Sequence, residues 1–378
     1  MRKWIDRARS LATLYDARKG KKRMRVLVVG AGPTGLTAAV ELKRRGMEVA
    51  IIEKRAEGSG LSRAVGITPM SLCLLYPSGV ADKLLAEGIR FREARIYRRS
   101  ELGLVLPIHA TPPKYGYDFI LGLPQDRTEA LLREALEGMS VSVRFSTELT
   151  GLKEEKDGVL ATMADGASER FDYVLGADGV HSTTRKLLDI PFPGHDLPET
   201  WSIADVNAKD WPNPETLTLC QLSRGGVVVA VPLATDRYRI ISNRPEALRQ
   251  LPLEMDVTNI RREGEFTISV RQVSTYNRGR VYLAGDAAHC HSPVGGRGMN
   301  LGIADAAEFA KRLAEDTLDG YSEARHRKGA KIIAGSERVR KIVTSTRPMI
   351  RKLFRLALSV AAHLPPLRRR IVDVLLYG

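Results

Sequence analysis

Glycine spacing near the start of the chain suits the binding of a nucleotide phosphate. The run GAGPTG places Gly30, Gly32 and Gly35 in the GxGxxG spacing, directly after the apolar stretch MRVLVVG. The first glycine allows a tight turn, the second lets a pyrophosphate approach the backbone, and the third permits close helix packing. Glu53 follows 23 residues after Gly30, where an acceptor for the ribose hydroxyls of adenosine is expected. The spacing predicts a site for a dinucleotide, either FAD or NAD.

A single nucleotide motif does not distinguish FAD from NAD. Other features of the chain reduce the number of enzyme classes that fit. No second GxGxxG motif follows a predicted strand, and the sequence contains no CxxxxC pair. Both absences disfavour the disulfide reductases that have two nucleotide-binding domains. The three cysteines, Cys73, Cys220 and Cys290, are too far apart for a CxxC site, and we expect them to be buried apolar fillers.

Four further segments resemble, in order along the chain, motifs of the flavoprotein aromatic hydroxylases, the group A flavoprotein monooxygenases. They are SRAVGITPMSLCLL at 62–75, LPQDRTEALL at 123–132, GADGVHSTTRKLL at 176–188 and GDAAHCHSPVGGRGMNLGIADA at 285–306. With GAGPTG they span residues 30–306, nearly all of the chain except its two basic ends. The resemblance implies the fold of para-hydroxybenzoate hydroxylase with one FAD bound non-covalently.

The resemblance assigns the last of these segments to the flavin. Asp286, which follows Gly285, would accept a hydrogen bond from a ribityl hydroxyl, and Pro293 would lie beside the reactive face of the ring. The residues along its pyrimidine edge would be Gly298, Met299 and Asn300. The positive end of the helix that starts there would stabilise the anionic reduced flavin. No side chain is assigned as a certain catalytic group, because the flavin performs the chemistry.

Four further side chains are placed near the cofactors by the resemblance. Asp178 would serve both FAD and the nicotinamide, with Arg185 positioned to neutralise phosphate; capping of a turn is the structural alternative for Asp178. Arg63 would lie over the pyrophosphate or the entering nicotinamide, and Gln125 would contact the ribityl chain, while a surface role stays open for both. The predicted cofactor-binding residues are Gly30, Gly32, Pro33, Thr34, Gly35, Glu53, Lys54, Arg63, Gln125, Asp178, Gly285, Asp286, Pro293, Gly298, Met299 and Asn300.

Two details of these segments carry their own expectations. His289 and His291 lie two residues apart, but no carboxylate or third histidine with ligand spacing joins them, so no metal is predicted. In the segment TPMSLCLL this chain has Met70 and Cys73 where many relatives carry Arg and Glu in a PRTLEIL-like stretch. We therefore expect weak polar anchoring of the helix in that segment.

The elements that position these segments follow two patterns. MRVLVVG, LTAAVELKRRG and EVAIIEK predict a strand, a helix ending at Gly46 and a second strand, which together form one βαβ unit. RFREARIYR, GLVLPIHA, ETLTLCQLS, GVVVAVPLA, RYRIIS and FTISVRQVS are short and rich in β-branched residues, which is typical of a mostly antiparallel sheet. FDYVLGADG, RVYLAGDAAH and the helical MNLGIADAAEFAKRLAED then resume the α/β pattern.

We predict an α/β protein in which a Rossmann-like FAD-binding domain is interleaved with a mostly antiparallel substrate-binding sheet domain. The FAD-binding domain comprises residues 24–90, 115–190 and 276–330, and the sheet domain comprises residues 91–114 and 191–275. Residues 1–23 form a basic extension. Residues 331–378 form basic C-terminal helices, interrupted by Pro348 and by Pro365 with Pro366.

The net charge of +15 resides in the two ends of the chain. Ten Lys and Arg residues lie within residues 1–25, and fourteen lie within residues 325–378, where the only acids are Glu337 and Asp373. Basic ends can attract an anionic membrane or an acidic carrier protein, and the cationic segments RKLFRLALSVAAHL and RRRIVDVLLYG suit contact with a membrane surface. The interpretation that we favour for these segments is a terminal helix pair packed over the cofactor domain. No zinc-finger spacing or RNP-like motif supports a nucleic-acid partner.

The predicted activity follows from the resemblance. NADPH or NADH would reduce FAD, and O2 would then form a flavin C4a-hydroperoxide that hydroxylates or epoxidises an aromatic or polycyclic small molecule. A halogenase or prenyl reductase of the same superfamily stays open, although the WxWxIP signature of halogenases is absent, and so does a flavin-binding scaffold without activity. Because the chain shows neither a long apolar run nor a secretory leader, we expect a cytoplasmic protein, with peripheral membrane attachment and oligomeric state left open.

Overall fold

The computed structural model describes residues 23–58, 64–110 and 113–377. The helices in this part of the chain are α1 (Pro33–Arg44), α2 (Pro69–Leu75), α3 (Val80–Glu87), α4 (Gln125–Glu137), α5 (Thr183–Leu187), α6 (Gly298–Glu315), α7 (Tyr321–Val343), α8 (Pro348–His363) and α9 (Pro365–Tyr377). The strands are β1 (Arg25–Val29), β2 (Glu48–Ile52), β3 (Gly66–Ile67), β4 (Ile89–Phe91), β5 (Glu93–Arg98), β6 (Glu101–Pro107), β7 (Ile120–Gly122), β8 (Val143–Arg144), β9 (Leu149–Glu155), β10 (Gly158–Met163), β11 (Ser168–Phe171), β12 (Tyr173–Gly176), β13 (Gly194–Asp196), β14 (Trp201–Lys209), β15 (Leu217–Gln221), β16 (Val227–Ala234), β17 (Arg237–Ser242), β18 (Asp256–Phe266), β19 (Ser269–Gln272), β20 (Asn277–Arg278), β21 (Val281–Leu283) and β22 (His289–Cys290).

A six-stranded sheet in the order β20-β21-β12-β1-β2-β8 carries the predicted cofactor segments. Its central strand β1 pairs in parallel with β2 and β12, so that Val28 lies opposite Ile51 on one side and Leu175 on the other. Strand β1 reads as a continuous apolar run because helices cover both faces of such sheets. Parallel strands present their carboxyl ends at one edge of the sheet, so the loops that follow β1, β12 and β21 converge.

Helix α1 closes the first βαβ unit as the sequence predicts. It begins with Pro33 at the first helical position, where the missing N–H costs nothing, and its last turn carries Lys43 and Arg44, which favour the negative end of the helix dipole. The next residues turn through Gly46, at φ +80°, into β2. One complete strand–helix–strand unit therefore positions the glycine turn and Glu53.

A seven-stranded sheet in the order β18-β14-β17-β16-β15-β5-β6 forms the second layer. All of its pairings are antiparallel except β5 with β15, as predicted for a mostly antiparallel sheet. A buried ion pair joins its strands β14 and β17, because Arg239 donates to both carboxylate oxygens of Asp205 at 2.7 Å. The strand predicted from FTISVRQVS belongs elsewhere: β19 pairs with β13 and β22 in a small separate sheet. The predicted domain boundaries stay a prediction.

The C-terminal helices begin at the prolines that interrupt the sequence pattern, since α8 starts at Pro348 and α9 at Pro365. They pack mainly on the seven-stranded sheet rather than over the cofactor segments, which corrects the expected position. Their buried side chains join one apolar cluster with the sheet, formed by Val65, Phe91, Ala94, Leu104, Leu106, Ile108, Ile120, Val231, Leu233, Leu358, Val372 and Leu376. Within the described residues, no helix combines the length and apolar character needed to span a membrane.

Candidate cofactor site

The glycine turn after β1 is closed by contacts that leave no room for side chains at two of its glycines. Gly30 has φ +101°, and a Cβ built there would lie 2.5 Å from the carbonyl oxygen of Ala177 in the loop after β12. A Cβ on Gly35 would lie 1.9 Å from the carbonyl oxygen of Gly30. A Cβ on Gly32 would meet nothing within 4 Å. The second glycine therefore opens toward free space at the start of α1, where helix N–H groups attract phosphate.

Glu53 holds this turn from the end of β2. Its carboxylate accepts hydrogen bonds from the backbone N–H of Ala31 at 2.9 Å and from the Arg55 side chain at 3.0 and 3.1 Å. Burial alone raises the pKa of Glu53, but the hydrogen bonds from Arg55 and Ala31 outweigh it and hold the pKa below its usual range. Arg55 was missed at the sequence level, although a cation two residues after the expected ribose acceptor is a readable signal.

A cavity of about 240 Å³ joins the glycine turn to the loop after β12. The predicted residues that line it are Gly30, Gly32, Glu53, Lys54 and Asp178. Asp178 accepts hydrogen bonds from the Ser182 hydroxyl at 2.5 Å and from the Thr184 N–H and hydroxyl at 2.9 and 3.0 Å. These contacts cap the short helix α5, which is the structural alternative for Asp178. Its cofactor role stays a prediction.

Thr34 connects the glycine turn to the acidic turn after β21. A Cβ on Gly285, which has φ +61°, would lie 2.5 Å from the Thr34 hydroxyl oxygen, and one on Gly302 would lie 2.1 Å from the same atom. Two glycines thus let the acidic turn and α6 approach the Thr34 hydroxyl of α1. In the acidic turn, Asp286 is exposed while Gly285 and Ala287 on either side of it are buried. The fold therefore brings two segments far apart in sequence to one place and presents a carboxylate there.

The acidic turn is held by the buried carboxylate of Asp305, which the sequence analysis missed. Asp305 of α6 is fully buried; it accepts hydrogen bonds from the Gly285 N–H at 2.9 Å, from Arg325 of α7, and lies 2.6 Å from Nε2 of His289. Burial raises the pKa of Asp305, but the charges of Arg325 and His289 outweigh it and hold the pKa below its usual value. One signal was available: Asp305 stands among the apolar residues of the predicted helix.

Asn300 joins the start of α6 to the segment before α2. Its side-chain oxygen accepts from the Thr68 N–H and the Ser71 hydroxyl, both at 2.8 Å, and its amide donates to the carbonyl oxygens of Gly66 and Gly296 at 2.8 and 3.0 Å. The expected weak polar anchoring of α2 is wrong, because these bonds replace the missing Arg and Glu. Because the side chain of Asn300 makes these bonds, a flavin contact of this residue would involve its backbone, and that contact stays a prediction.

The remaining predicted residues lie around this helix start or beside it. Met299 is buried, and Pro293 and Gly298 are half-buried at the beginning of α6. Gln125 opens α4, where its side chain accepts from the Ala64 N–H at 3.2 Å and donates to Glu129 at 2.9 Å. Pro33 is the first residue of α1. Arg63 lies outside the described residues.

Arg185 links two loops of the site. Its guanidinium is buried, donates to the carbonyl oxygens of Ala287 and Val180 at 2.9 and 2.8 Å, and lies 4.0 Å from the centre of the Phe192 ring. These contacts tie the loop after β12 to the acidic turn. The structure gives Arg185 this bridging position, and its contact with phosphate stays a prediction.

His289 and His291 each contact an oxygen atom of the protein. His289 contacts Asp305, and Nδ1 of His291 lies 2.8 Å from the carbonyl oxygen of Ser292. Among the described residues, no group of three or more His, Cys, Asp or Glu side chains is arranged to hold a metal ion. All three cysteines are free thiols, but only Cys220 is buried; Cys73 and Cys290 are half-buried, so the expectation of buried fillers is wrong for two of them.

Comparisons with known proteins agree with this geometry. The protein family described as FAD binding domain matches residues 23–259 and 246–336. Rifampicin monooxygenase of Streptomyces venezuelae is 33% identical over 327 residues, covering 80% of this chain and 68% of that protein. A 6-methylpretetramide 4-monooxygenase of Streptomyces rimosus is 30% identical, covering 93% and 68%. The crystal structure of p-nitrophenol 4-monooxygenase from Pseudomonas putida superposes with a TM-score of 0.84 at 22% identity, covering 93% of this chain and 98% of that one, and shows the same fold.

Proposed function

The chain belongs to the FAD binding domain family of flavoprotein aromatic hydroxylases, and on that premise we propose that it is an FAD-dependent monooxygenase acting on an aromatic or polycyclic small molecule. NADPH or NADH is the proposed reductant, and O2 supplies the oxygen atom that hydroxylates or epoxidises the substrate. The observation that carries this proposal is the meeting of the glycine turn and the acidic turn at Thr34. A single extended dinucleotide suits two such turns at one edge of a parallel sheet.

The described residues fit FAD. Gly32 opens toward free space at the start of α1, and the adjoining cavity carries the Glu53 and Asp178 side chains in its wall. At the other turn, Asp286 holds an exposed carboxylate between the buried Gly285 and Ala287, where a ligand hydroxyl can reach it. When bound, FAD would supply hydride acceptance from the nicotinamide and activation of O2.

The chain's own residues would bind and orient this group. The first N–H groups of α1 would hold the pyrophosphate, which their positive dipole end favours. Asp286 would accept a hydrogen bond from a ribityl hydroxyl. The start of α6, from Gly298 to Asn300, would direct N–H groups at the pyrimidine end of the ring and stabilise negative charge there. Asp305, which accepts a hydrogen bond from the Gly285 N–H, would hold the acidic turn against α6 when FAD is bound.

An apolar wall lies next to the start of α6 and suits an aromatic substrate. Asn300 bonds to Gly66 and Thr68 beside Val65, and the Arg297 side chain donates to the carbonyl oxygen of Val374 in α9. The first contact adjoins Val65 of the apolar cluster between the seven-stranded sheet and the C-terminal helices, and the second reaches α9, which contributes Val372 and Leu376 to that cluster. A mainly apolar wall would orient a ring and exclude water from the reacting atoms.

The test uses the purified full chain with FAD. We expect a yellow protein that oxidises NADPH or NADH faster when phenols, quinones or polycyclic aromatics are added, with product that gains one oxygen atom from labelled O2. A colourless protein that takes up no added FAD contradicts cofactor binding. Flavin that is never reduced by either nicotinamide supports a scaffold instead, and a product without added oxygen points to another flavoprotein reaction.

A further inference from the structure

The outer face of α8 is apolar and exposed. Met349, Leu353, Leu356 and Val360 keep 75%, 59%, 60% and 38% of their surfaces accessible. Their spacing of four, three and four residues puts them in one stripe along the helix. Leu364, 51% exposed, continues the stripe just past the helix end. We call these five residues the α8 stripe.

The fold does not need the α8 stripe for packing. The opposite face of α8 carries Phe354, Leu358 and Ala361; Phe354 and Leu358 pack in the apolar cluster against the sheet, and Ala361 is fully buried. A helix that packs on a protein by one face normally presents polar residues on the other. Here the second face is apolar as well, so it is available for a contact outside the chain.

The segment that contains the α8 stripe is rich in Lys and Arg and has no acidic residue. Residues 338–372 contain ten Lys and Arg and no Asp or Glu. Arg347 lies just before α8, Lys352 is exposed beside the stripe, and Arg369 and Arg370 are exposed at the start of α9. Long cationic side chains at the two ends of an apolar stripe can reach lipid headgroups while the stripe enters the acyl boundary.

The positive field extends to the sheet beside α8. A hollow of about 610 Å³ between α8, the end of α7 and the turn from β5 to β6 is lined by five arginines. They are Arg98, Arg99, Arg224, Arg351 and Arg355, and the hollow has one carboxylate, that of Glu101. Such clustering raises the potential over this end of the molecule and attracts anionic surfaces.

From the stripe and this charge we propose that α8 docks on an anionic membrane surface. The leucines of the α8 stripe enter the boundary between headgroups and acyl chains, and the flanking Lys and Arg bind lipid phosphates. Charge disfavours two other occupants. A second copy would bring two cationic segments together, and residues 1–22 of this chain, with eight Lys and Arg against two Asp, would also be repelled.

The experiment is co-sedimentation of the full chain, loaded with FAD, with phosphatidylcholine vesicles prepared with and without phosphatidylserine. We expect binding only to vesicles that contain phosphatidylserine, and release of most of the protein when salt is raised. Replacing both Leu353→Ser and Leu356→Ser should weaken binding at least roughly tenfold, since each leucine contributes buried apolar surface. Replacing Arg369→Gln and Arg370→Gln should weaken it by a similar amount.

The matched control is Ile260→Ser, because Ile260 is 49% exposed on the edge strand β18 and lies outside α8. This variant should bind vesicles like the unaltered chain, and thermal melting should show that all variants fold. Absence of binding to anionic vesicles at low salt overturns the proposal and leaves an acidic protein as the partner. Equal binding of the double Leu→Ser variant also overturns it, as does a concentration-dependent dimer that the same variant abolishes.

Discussion

The two turns that meet at Thr34 are built in different ways. The glycine turn after β1 is fixed by the close backbone approach of Gly30 to Ala177 and of Gly35 to Gly30, and by the Glu53 carboxylate. The acidic turn after β21 rests on Asp305 from α6, which is held in turn by Arg325 of α7 and by His289. One turn therefore depends on the small volume of its glycines, and the other depends on a buried charge supplied by α6 and paired with α7.

This difference decides what each turn tolerates. Backbone contact is disrupted by added atoms, because close-packed neighbours cannot move without strain. A buried carboxylate paired with a buried arginine is disrupted by loss of its charge, which leaves the arginine uncompensated. The following substitutions separate these two modes.

The largest effect is expected for Asp305→Asn. Because it leaves Arg325 buried without its counter-charge, we expect a loss of roughly 3–5 kcal/mol in the free energy of unfolding. Denaturant unfolding measures this change. Asp316→Asn at the other end of α6 is the matched control: it is exposed at φ +60°, where asparagine is tolerated, and should shift stability by less than about 0.5 kcal/mol. Equal losses for both variants would show that the buried charge has no special role.

The next largest loss of stability is expected for Gly30→Ala. A methyl group there would lie 2.5 Å from the Ala177 carbonyl oxygen at φ +101°, and we expect overpacking and strain to cost about 3 kcal/mol together. Gly79→Ala is the control, since Gly79 also has positive φ but meets nothing within 4 Å; it should lose only about 1 kcal/mol. If thermal unfolding gives the same loss at both positions, close contact does not define the glycine turn.

Asp286→Asn separates the two carboxylates of the acidic turn. Asp286 is exposed whereas Asp305 is buried, so we expect FAD affinity to fall by roughly 10- to 100-fold, the range for losing a hydrogen bond to a charged group. The stability of the flavin-free chain should change little. Flavin fluorescence titration measures the affinity, with Asp157→Asn on an exposed hairpin turn as control. Unchanged flavin binding would remove Asp286 from the proposed site.

The smallest effect is expected for Glu53→Gln. The lowered pKa of Glu53 means that its ionised form stabilises the fold above the ordinary carboxyl range, near pH 4, and that this contribution disappears as pH falls through the lower folded value. Because Arg55 is partly exposed, we expect a loss of only about 1 kcal/mol at neutral pH. The difference between the two proteins should shrink below about pH 4 in acid unfolding curves. A constant difference down to lower pH contradicts an ionised role.

The sequence predicts the glycine turn well and the acidic turn only in part, for the same physical reason. Gly35 and Glu53 act on neighbours within one βαβ unit, so their spacing implies their contacts, whereas the approach of Gly30 to Ala177 is long-range. Arg325 acts on Asp305 across two helices, and no local pattern marks that arginine among the many in α7.

Long-range bonds also explain the other differences from expectation. Asn300 satisfies Thr68 and Ser71, which lie far from it in sequence, so the anchoring of α2 was not readable from TPMSLCLL. Strand β18 was missed because most of its eleven residues, DVTNIRREGEF, are exposed at a sheet edge and five of them are charged, so the apolar pattern of a strand is weak. Fold class and the C-terminal helices followed from contiguous patterns.

The strand order of the parallel sheet has a consequence for synthesis on the ribosome. Strand β1 emerges early, yet its neighbour β12 comes much later and β21, beside β12, later still. At ordinary translation speeds, Arg325 follows the glycine turn by an interval on the order of tens of seconds. A nascent chain therefore exposes the apolar edge of β1 until β12 has been made, and any flavin it captures can be held firmly only after most of the polypeptide has been made.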